Sequence, residues 1–599
     1  MGALFLSGGP GSDALPWLGA TAIALAMILF ATQSSPGGLR ALAPVAALAV
    51  WCAVSIAWSI QPDRSWDYAN RAFVYVAFAL VGAFVAGRPR ELLVGMSTLL
   101  GAVCVWSLAG KVLPWLYEDY GRVARLRGPV GYWNSLALLG DIALPLGLCL
   151  ATRARASGTL LVYGWLVAIG LTYSRGGVAV AVVVIALWML FSHAWLETLS
   201  TLVAAGLPAA GALIVAFSLS GVTSDGQSHT TRLRDGLLFG AVLLLDAAIA
   251  VALARFRVPR VPAVRRAALA LLAVVVAAGI VVGALHARSW WNGFTSPVTT
   301  ELPNSPGRLA QAGSNHRWVW WTEAWDGWKT RPLEGTGAGS FDFINLRFRK
   351  TYLDQAIEPH NLPVQFLSET GIVGVLLFAA SVAWLVTVGR RRPGPQLALA
   401  LALPAYFLHS LVDIDWDFAA VTAPVFLIAG ALATAPSERR RPSPFAVLMA
   451  GGLALAVVFS LFAVWLGNRW NGQAEQAIGT DNAKVITLAR RARSVNPLTV
   501  EPLLAAADAE ISNASITRKR KAKKAAYGRA LGYLQRATRL QPDDAEAWYS
   551  LGEFDLRDRK CPRAALPALS RFTVLNGQDP KNVEYAAALK LVNSGKPIC

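Results

Sequence analysis

Charge is the first thing this chain lacks. Only 15% of its 599 residues are Asp, Glu, Lys or Arg, against 55% hydrophobic. That balance excludes a soluble globular protein and points to many membrane spans. Acids are the scarcer sign, 36 against 55 bases, leaving a formal net charge of +19. In a soluble chain such an excess would suggest nucleic acid. Here much of it lies in short loops between apolar runs, where it sets orientation in a bilayer, and no RNA- or DNA-binding motif accompanies it. Cysteine is rare, 5 in all, which does not make a disulfide framework or a zinc site. Cys52, Cys104 and Cys149 lie in apolar runs and read as small core hydrophobes. A cleavable leader is also lacking: the first apolar run has no positive charge before it and no convincing cleavage site, so it is expected to remain as a span.

What is present is apolar sequence of spanning length. Runs near 15–33, 40–60, 71–86, 91–110, 133–151, 158–173, 176–192, 197–219, 236–254, 267–285, 362–389, 396–412, 418–434 and 444–466 predict about fourteen helices near the ~20 residues that cross a bilayer. The expected class is all-α, a polytopic transmembrane bundle of about 12–14 spans. Its divisions are 1–285 (about ten spans), a loop over 286–361, further spans over 362–468 (about four), and a helical tail over 469–599. Fourteen spans put five basic loops on one side: Arg88 to Arg90, Arg153 and Arg155, Arg255 to Arg266, Arg390 to Arg392, and Arg439 to Arg441. The positive-inside rule makes that side cytoplasmic. Acidic loops (Asp63 and Asp67, Glu118 and Asp119, Asp413 to Asp417), both termini and the 286–361 loop then face outside.

That loop is the one long polar interruption. It carries His316, Arg317, a tryptophan run (Trp318, Trp320, Trp321, Trp325, Trp328), Gly335-Thr336-Gly337-Ala338-Gly339 and Glu358-Pro359-His360-Asn361. His360 lies between two prolines that limit the backbone, so a neutral imidazole could accept a proton there, unless His360 or Asn361 merely caps the next helix. Arg175, joining two apolar runs beside Gly176-Gly177, either meets an anion in a polar cavity or snorkels to the surface. Arg125, in Arg125-Leu-Arg-Gly-Pro-Val-Gly-Tyr-Trp-Asn134-Ser, precedes another helix. The guanidinium groups of Arg125, Arg175 and Arg317 could together grip a diphosphate through bidentate contacts, with Asn134, His316 and Asn361 supporting. The tryptophans, at helical spacing, read as an interfacial helix in preference to a sugar-stacking platform. Asp413 and Asp415 could hold Mg²⁺ or Mn²⁺ or simply form an acidic loop at a helix end; no metal or other cofactor is expected. His409 stands in reserve, and His193, His229 and His286 carry less.

From about Trp470 the sequence turns to Ala, Leu, Arg and Glu with helical periodicity. The phrases Ala-Arg-Ser-Val-Asn-Pro497 and Ala-Thr-Arg-Leu-Gln-Pro542 repeat, so the tail resembles tetratricopeptide repeats, an α-solenoid suited to docking a protein partner or to scaffolding. Its basic run 518–524 reads as a solvated helix face, the alternative being contact with anionic lipid or glycan. If the tail is outside, Cys561 and Cys599 could form a disulfide.

Four patches taken in order resemble the bacterial O-antigen ligase and O-antigen polymerase superfamily: Arg125 to Asn134, Ser174-Arg175-Gly176, Arg317 through Gly339, and His360-Asn361 with Glu369-Thr370-Gly371-Ile372-Val373-Gly374. The resemblance spans roughly 40–435. It implies a GT-C-like bundle that moves a glycan from an undecaprenyl-diphosphate-linked donor to an acceptor hydroxyl outside the bacterial cytoplasmic membrane, metal-independently and with inversion. His360 would be the base, and Arg175 and Arg317 would hold the diphosphate. The acceptor stays open between glycolipid, glycan and protein, and so do ligation, polymerisation and protein O-glycosylation. A flippase or transporter for the same lipid-linked glycan, and an envelope-assembly scaffold worked by the tail, are the competing classes.

Overall fold

The computed structural model describes residues 4, 13–116, 122–192, 194–256, 262–296, 304–311, 313–389, 394–436 and 441–594. Glu118, Asp119, His193, Arg390 to Arg392, Arg439, Arg440 and Cys599 lie outside the described residues. Helix is the only regular structure among them, apart from an isolated bridge between Gly37 and Ala435. Each of the fourteen apolar runs is helical. Among the described residues, eight helices are long and apolar enough to cross a membrane: Leu15–Thr32, Pro89–Val112, Trp133–Ala151, Arg155–Thr172, Trp195–Ser218, His229–Ala254, Leu362–Ala383 and Pro444–Ala477. Leu39–Ser55, Arg175–Phe191 and Ala419–Ala433 are apolar but shorter. The run near 396–412 is two pieces, Pro395–Ala400 and Ala402–Ser410, and Pro62–Phe84 begins in polar residues eight or nine positions before its apolar run.

The Trp133–Ala151 helix is buried along almost its whole length, and the neighbouring helices Arg155–Thr172, Arg175–Phe191 and Ala402–Ser410 pack around it. The outward faces stay apolar: Leu190 is 73% exposed, Leu244 76% and Leu455 72%. In water such faces would be a large aggregation liability; in a bilayer they meet hydrocarbon at no cost.

On one end of the bundle the 304–361 segment folds into a head. Its main helix is Arg317–Thr330, followed by Phe341–Phe348. The glycine-rich run between them is a clamp. The helix that starts at Leu362 breaks at Gly371 (φ 66°, ψ −169°), so carbonyls before the break and amides after it lose their helical partners. The head supplies replacements. Thr336 N–H donates to the Ser368 carbonyl (3.2 Å) and Gly337 N–H to that of Glu369 (2.7 Å), while Ile372 N–H donates to the Pro332 carbonyl (3.0 Å). The Glu369 carboxylate accepts the Gly339 N–H (2.7 Å) and the Phe341 N–H (3.2 Å). Three amides of the glycine run, those of Thr336, Gly337 and Gly339, are thus spent on the broken helix.

The tail is six helices, Asn482–Val495, Glu501–Ile516, Arg520–Leu540, Ala545–Glu553, Pro562–Leu575 and Val583–Asn593, each packed on the next. Three of them end in a buried amide residue, Asn496, Gln541 and Asn576. Two of these amides dock the tail onto the head side: Gln541 Nε2 donates to Asp63 (2.8 Å) and Arg349 donates to Asn576 Oδ1 (2.6 Å). Residues 518–525 are exposed, as a solvated face would be. Cys561 is disulfide-bonded, whereas Cys52, Cys104 and Cys149 are free and buried.

Candidate functional site

Arg125, Arg175 and Arg317, far apart in sequence, line one cavity of about 350 Å³ together with Asn134, Asp413 and a fourth arginine, Arg308. Arg308 was not singled out from the sequence; a lone arginine in a polar loop has no local pattern to mark it. Each of the three expected guanidiniums is aimed by backbone carbonyls, which fix direction without cancelling charge. Arg125 Nε donates to the Thr172 carbonyl (2.8 Å) and its Nη2 to Asn134 Oδ1 (3.2 Å), with its plane 4.1 Å from the Trp133 ring. Arg175 donates to the carbonyls of Gln311 and Gly313. Arg317 Nε donates to the Val412 carbonyl (2.6 Å) and its Nη2 to Asp413 (3.1 Å). Arg175 opens a helix whose cap, Ser174, accepts the Gly177 N–H, and Ser174, Arg175 and Gly176 all line the cavity. The positive helix end therefore adds to the field.

Among the described residues lining the cavity, Asp413 is the one carboxylate beside the four arginines. Asp413 is gripped by Arg317, Tyr132, Asn134 and its neighbour's Ile414 N–H. Burial alone would raise its pKa, but Arg317, followed by His360 and His409, outweighs burial and holds it below the ordinary carboxylate range. Burial, followed by repulsion from Arg308, brings Arg125 down to about 9. Cations crowded in this way are relieved by a bound anion.

His360 is not in the lining of this cavity, but its ring is close enough to Arg317 and Asp413, which are, to feel their charge. Its backbone is left-handed (φ 55°), a conformation that costs a non-glycine residue of order 1–3 kcal/mol and is kept where surroundings impose it. They do. Trp320 packs on the imidazole (4.8 Å between ring centres) and Trp321 Nε1 donates to the Pro359 carbonyl (3.0 Å). Asn361 caps its own helix by accepting the Val364 N–H (3.0 Å), and its Nδ2 donates to the Leu411 carbonyl (2.8 Å). Asn361 is thus the cap, which frees the histidine. His360 Nδ1 lies 3.0 Å from the Glu358 carbonyl; a carbonyl only accepts, so Nδ1 carries the proton and Nε2 keeps a lone pair. Burial, followed by repulsion from Arg317, lowers the pKa to about 4, so the ring is neutral at pH 7. His316 (φ 67°) stacks on the far side of Trp320 (5.8 Å) and pairs with Asp354 (3.0 Å), a strut for the stack. The tryptophans therefore divide: Trp320 and Trp321 shape the site, while Trp325, 47% exposed, is free to lie at an interface.

The acidic loop scatters its carboxylates. Asp413 serves Arg317, Asp415 pairs with His409 (2.7 Å) and Asp417 lies 3.8 Å from Arg71. Among the described residues no three His, Cys, Asp or Glu side chains group as a metal would need.

A bundle of apolar helices bearing a head of converging arginines defines a multi-pass, all-α membrane protein. A family model described as O-Antigen ligase matches residues 236–379, the stretch that holds Arg308, Arg317, His360 and the whole glycine clamp. That match, over about a quarter of the chain, supports the O-antigen ligase/polymerase superfamily, a family of membrane enzymes of the ligase and glycosyltransferase type. No curated protein matches it.

Proposed function

We propose that the protein transfers a glycan from an undecaprenyl-diphosphate-linked donor to an acceptor hydroxyl on the outer face of the bacterial cytoplasmic membrane, with inversion and without a metal. The observation that carries this reading is the four-arginine cavity set against a neutral histidine with one locked and one open nitrogen. The diphosphate lies among Arg125, Arg175, Arg308 and Arg317. The acceptor hydroxyl gives its proton to His360 Nε2, and its oxygen attacks the anomeric carbon from the face opposite the diphosphate. The bond from that carbon to the diphosphate oxygen breaks, the electron pair leaves with the diphosphate, and the guanidiniums stabilise the charge that develops there. A diphosphate is already a good leaving group, so no acid need protonate it, and four fixed cations supply what a divalent ion would.

Outward placement is supported by the basic loops on the opposite side and by the disulfide at Cys561, a bond suited to an oxidising compartment. The paired helices of the tail, with an amide closing three of them, support a tetratricopeptide-like solenoid.

The test uses purified protein in lipid with a lipid-linked oligosaccharide, and mass spectrometry of all products. Transfer is expected in the parent, and His360→Ala should slow it by roughly 10²–10⁴-fold while donor binding survives. Unimpaired translocation with no product in either protein would favour a transporter, and transfer abolished by EDTA and restored by Mg²⁺ would overturn the metal-free step.

A further inference from the structure

A second cavity, of about 580 Å³, meets the His360 segment at Ile357 and Glu358 and is lined by both head and tail residues. The 412–418 loop is the partition. Val412 and Asp413 line the arginine cavity, whereas Ile414, Asp417 and Phe418 line this one. Glu358, whose carbonyl fixes His360 Nδ1, presents its side chain here. Asn361 ties the histidine to the start of the partition through the Leu411 carbonyl.

The two cavities are opposite in character. The second has six carboxylates against two arginines, and both arginines are paired, Arg64 with Glu358 and Arg71 with Asp67 and Asp417. Burial raises Asp63 to about 7 and Glu358 to about 8, so not all six are charged at pH 7, but neither arginine on this wall is left unpaired to hold an anionic ligand. Three buried oxygens on its wall, Gln61 Oε1, Asp417 Oδ2 and Asn471 Oδ1, find no hydrogen-bond partner among the described residues, and neither does the Arg71 Nε donor. Asp417 is only 7% exposed. An unpaired buried acceptor costs about 1–3 kcal/mol, so these atoms ask for a ligand rich in donors that can also accept. Hydroxyl groups do both, and ammonium groups satisfy the acceptors. Phe418 lines the same wall, held by stacking on Tyr132 (5.1 Å between ring centres, 10° between planes). Asn496 and Thr499 bring the tail to the same wall.

We propose that this cavity is the acceptor site, that it takes a neutral or amine-bearing oligosaccharide and rejects an anionic one, and that the tail completes it. This rests on the glycan-transfer reading above.

The test is binding to the full chain in lipid nanodiscs of three tetrasaccharide probes: maltotetraose, the chitosan tetramer and tetragalacturonate. Farnesyl diphosphate is titrated in parallel to report on the arginine cavity. The expected result is saturable binding of maltotetraose or the chitosan tetramer, at least tenfold weaker binding of tetragalacturonate, and at least a fivefold loss for Asn471→Leu. Asn468→Ala, at an exposed position on the same wall, should also weaken binding and keeps the test decisive if Asn471→Leu does not fold. Equal binding of tetragalacturonate, no binding of any oligosaccharide, or binding indifferent to both substitutions would overturn the proposal. Failure of farnesyl diphosphate alone would instead overturn the donor reading and leave the oligosaccharide result standing.

Discussion

At the scale of single residues the site is a division of labour between charge and lone pair. In the proposed transfer, His360 serves as base because it is uncharged. Its pKa in the free protein, about 4, lies below the ordinary histidine value of 6.5, so the base form persists into acid. The acid limb of kcat/KM, which reports the free enzyme, should therefore fall near pH 4 rather than near 6.5; a limb at 6.5 would mean that His360 is not the base. His360→Ala should lower kcat by roughly 10²–10⁴-fold, the usual share of a general base, with little change in donor affinity. Arg317→Ala removes a charged donor from the cavity and strands Asp413, which Arg317 otherwise neutralises at 3.1 Å. Loss of one charge-assisted contact costs about 1.5–3 kcal/mol. Titration with farnesyl diphosphate should show affinity lowered on the order of tenfold to hundredfold.

At the scale of elements, the decisive device is a helix that stops and restarts. Gly371 takes φ +66°, and a Cβ there would stand 2.1 Å from the Leu333 carbonyl oxygen. Gly371→Ala therefore meets both backbone strain and a clash with main chain that cannot swing away. It should cost at least about 1–3 kcal/mol and lower the thermal midpoint of the purified protein. Gly452→Ala, where a Cβ meets nothing within 4 Å, should leave the midpoint unchanged. Glu369→Ala exposes the same device from the other side, since the buried Gly339 and Phe341 amides lose their acceptor. The Glu-Thr-Gly and Gly-Thr-Gly-Ala-Gly phrases look like separate motifs in the sequence, yet they are two halves of one joint. That joint sets where the Leu362 helix begins, and with it where His360 stands.

At the scale of the molecule, the tail continues from the last membrane helix, packs back on it, and is tied to the head side by specific polar contacts. Arg349→Ala removes the bond to Asn576 and the 3.9 Å pairing with Asp579, and Gln541→Ala removes the bond to Asp63. The double variant should loosen the tail, seen as faster hydrogen exchange over residues 541–579 with the bundle unchanged. Topology has its own check. Reporters fused at Gly313 and Gly552 should both signal from outside the cytoplasm; a cytoplasmic signal at Gly313 would put the arginines on the wrong side for a lipid-linked donor used outside.

Local chemistry determined much of this protein before any tertiary contact is considered. Apolar runs, basic loops and the helical tail follow from periodicity and charge, because each is a property of neighbouring residues in the chain. Arg175 and His360 were legible for a similar reason: each is a polar residue placed where an apolar helix begins, a position that calls for a function. What they do together was not legible. Arg308 joins the cavity only through folding of the head. Asp413 turns from possible metal ligand to anchor because Arg317, Tyr132 and Asn134 converge on it from three segments. The choice of Asn361 as cap, which leaves His360 Nε2 open, depends on the Leu411 carbonyl and the Trp320 ring. Periodicity records which face a residue occupies, but only the three-dimensional packing decides which distant charges share a cavity, and the chemistry of this site is a matter of that sharing.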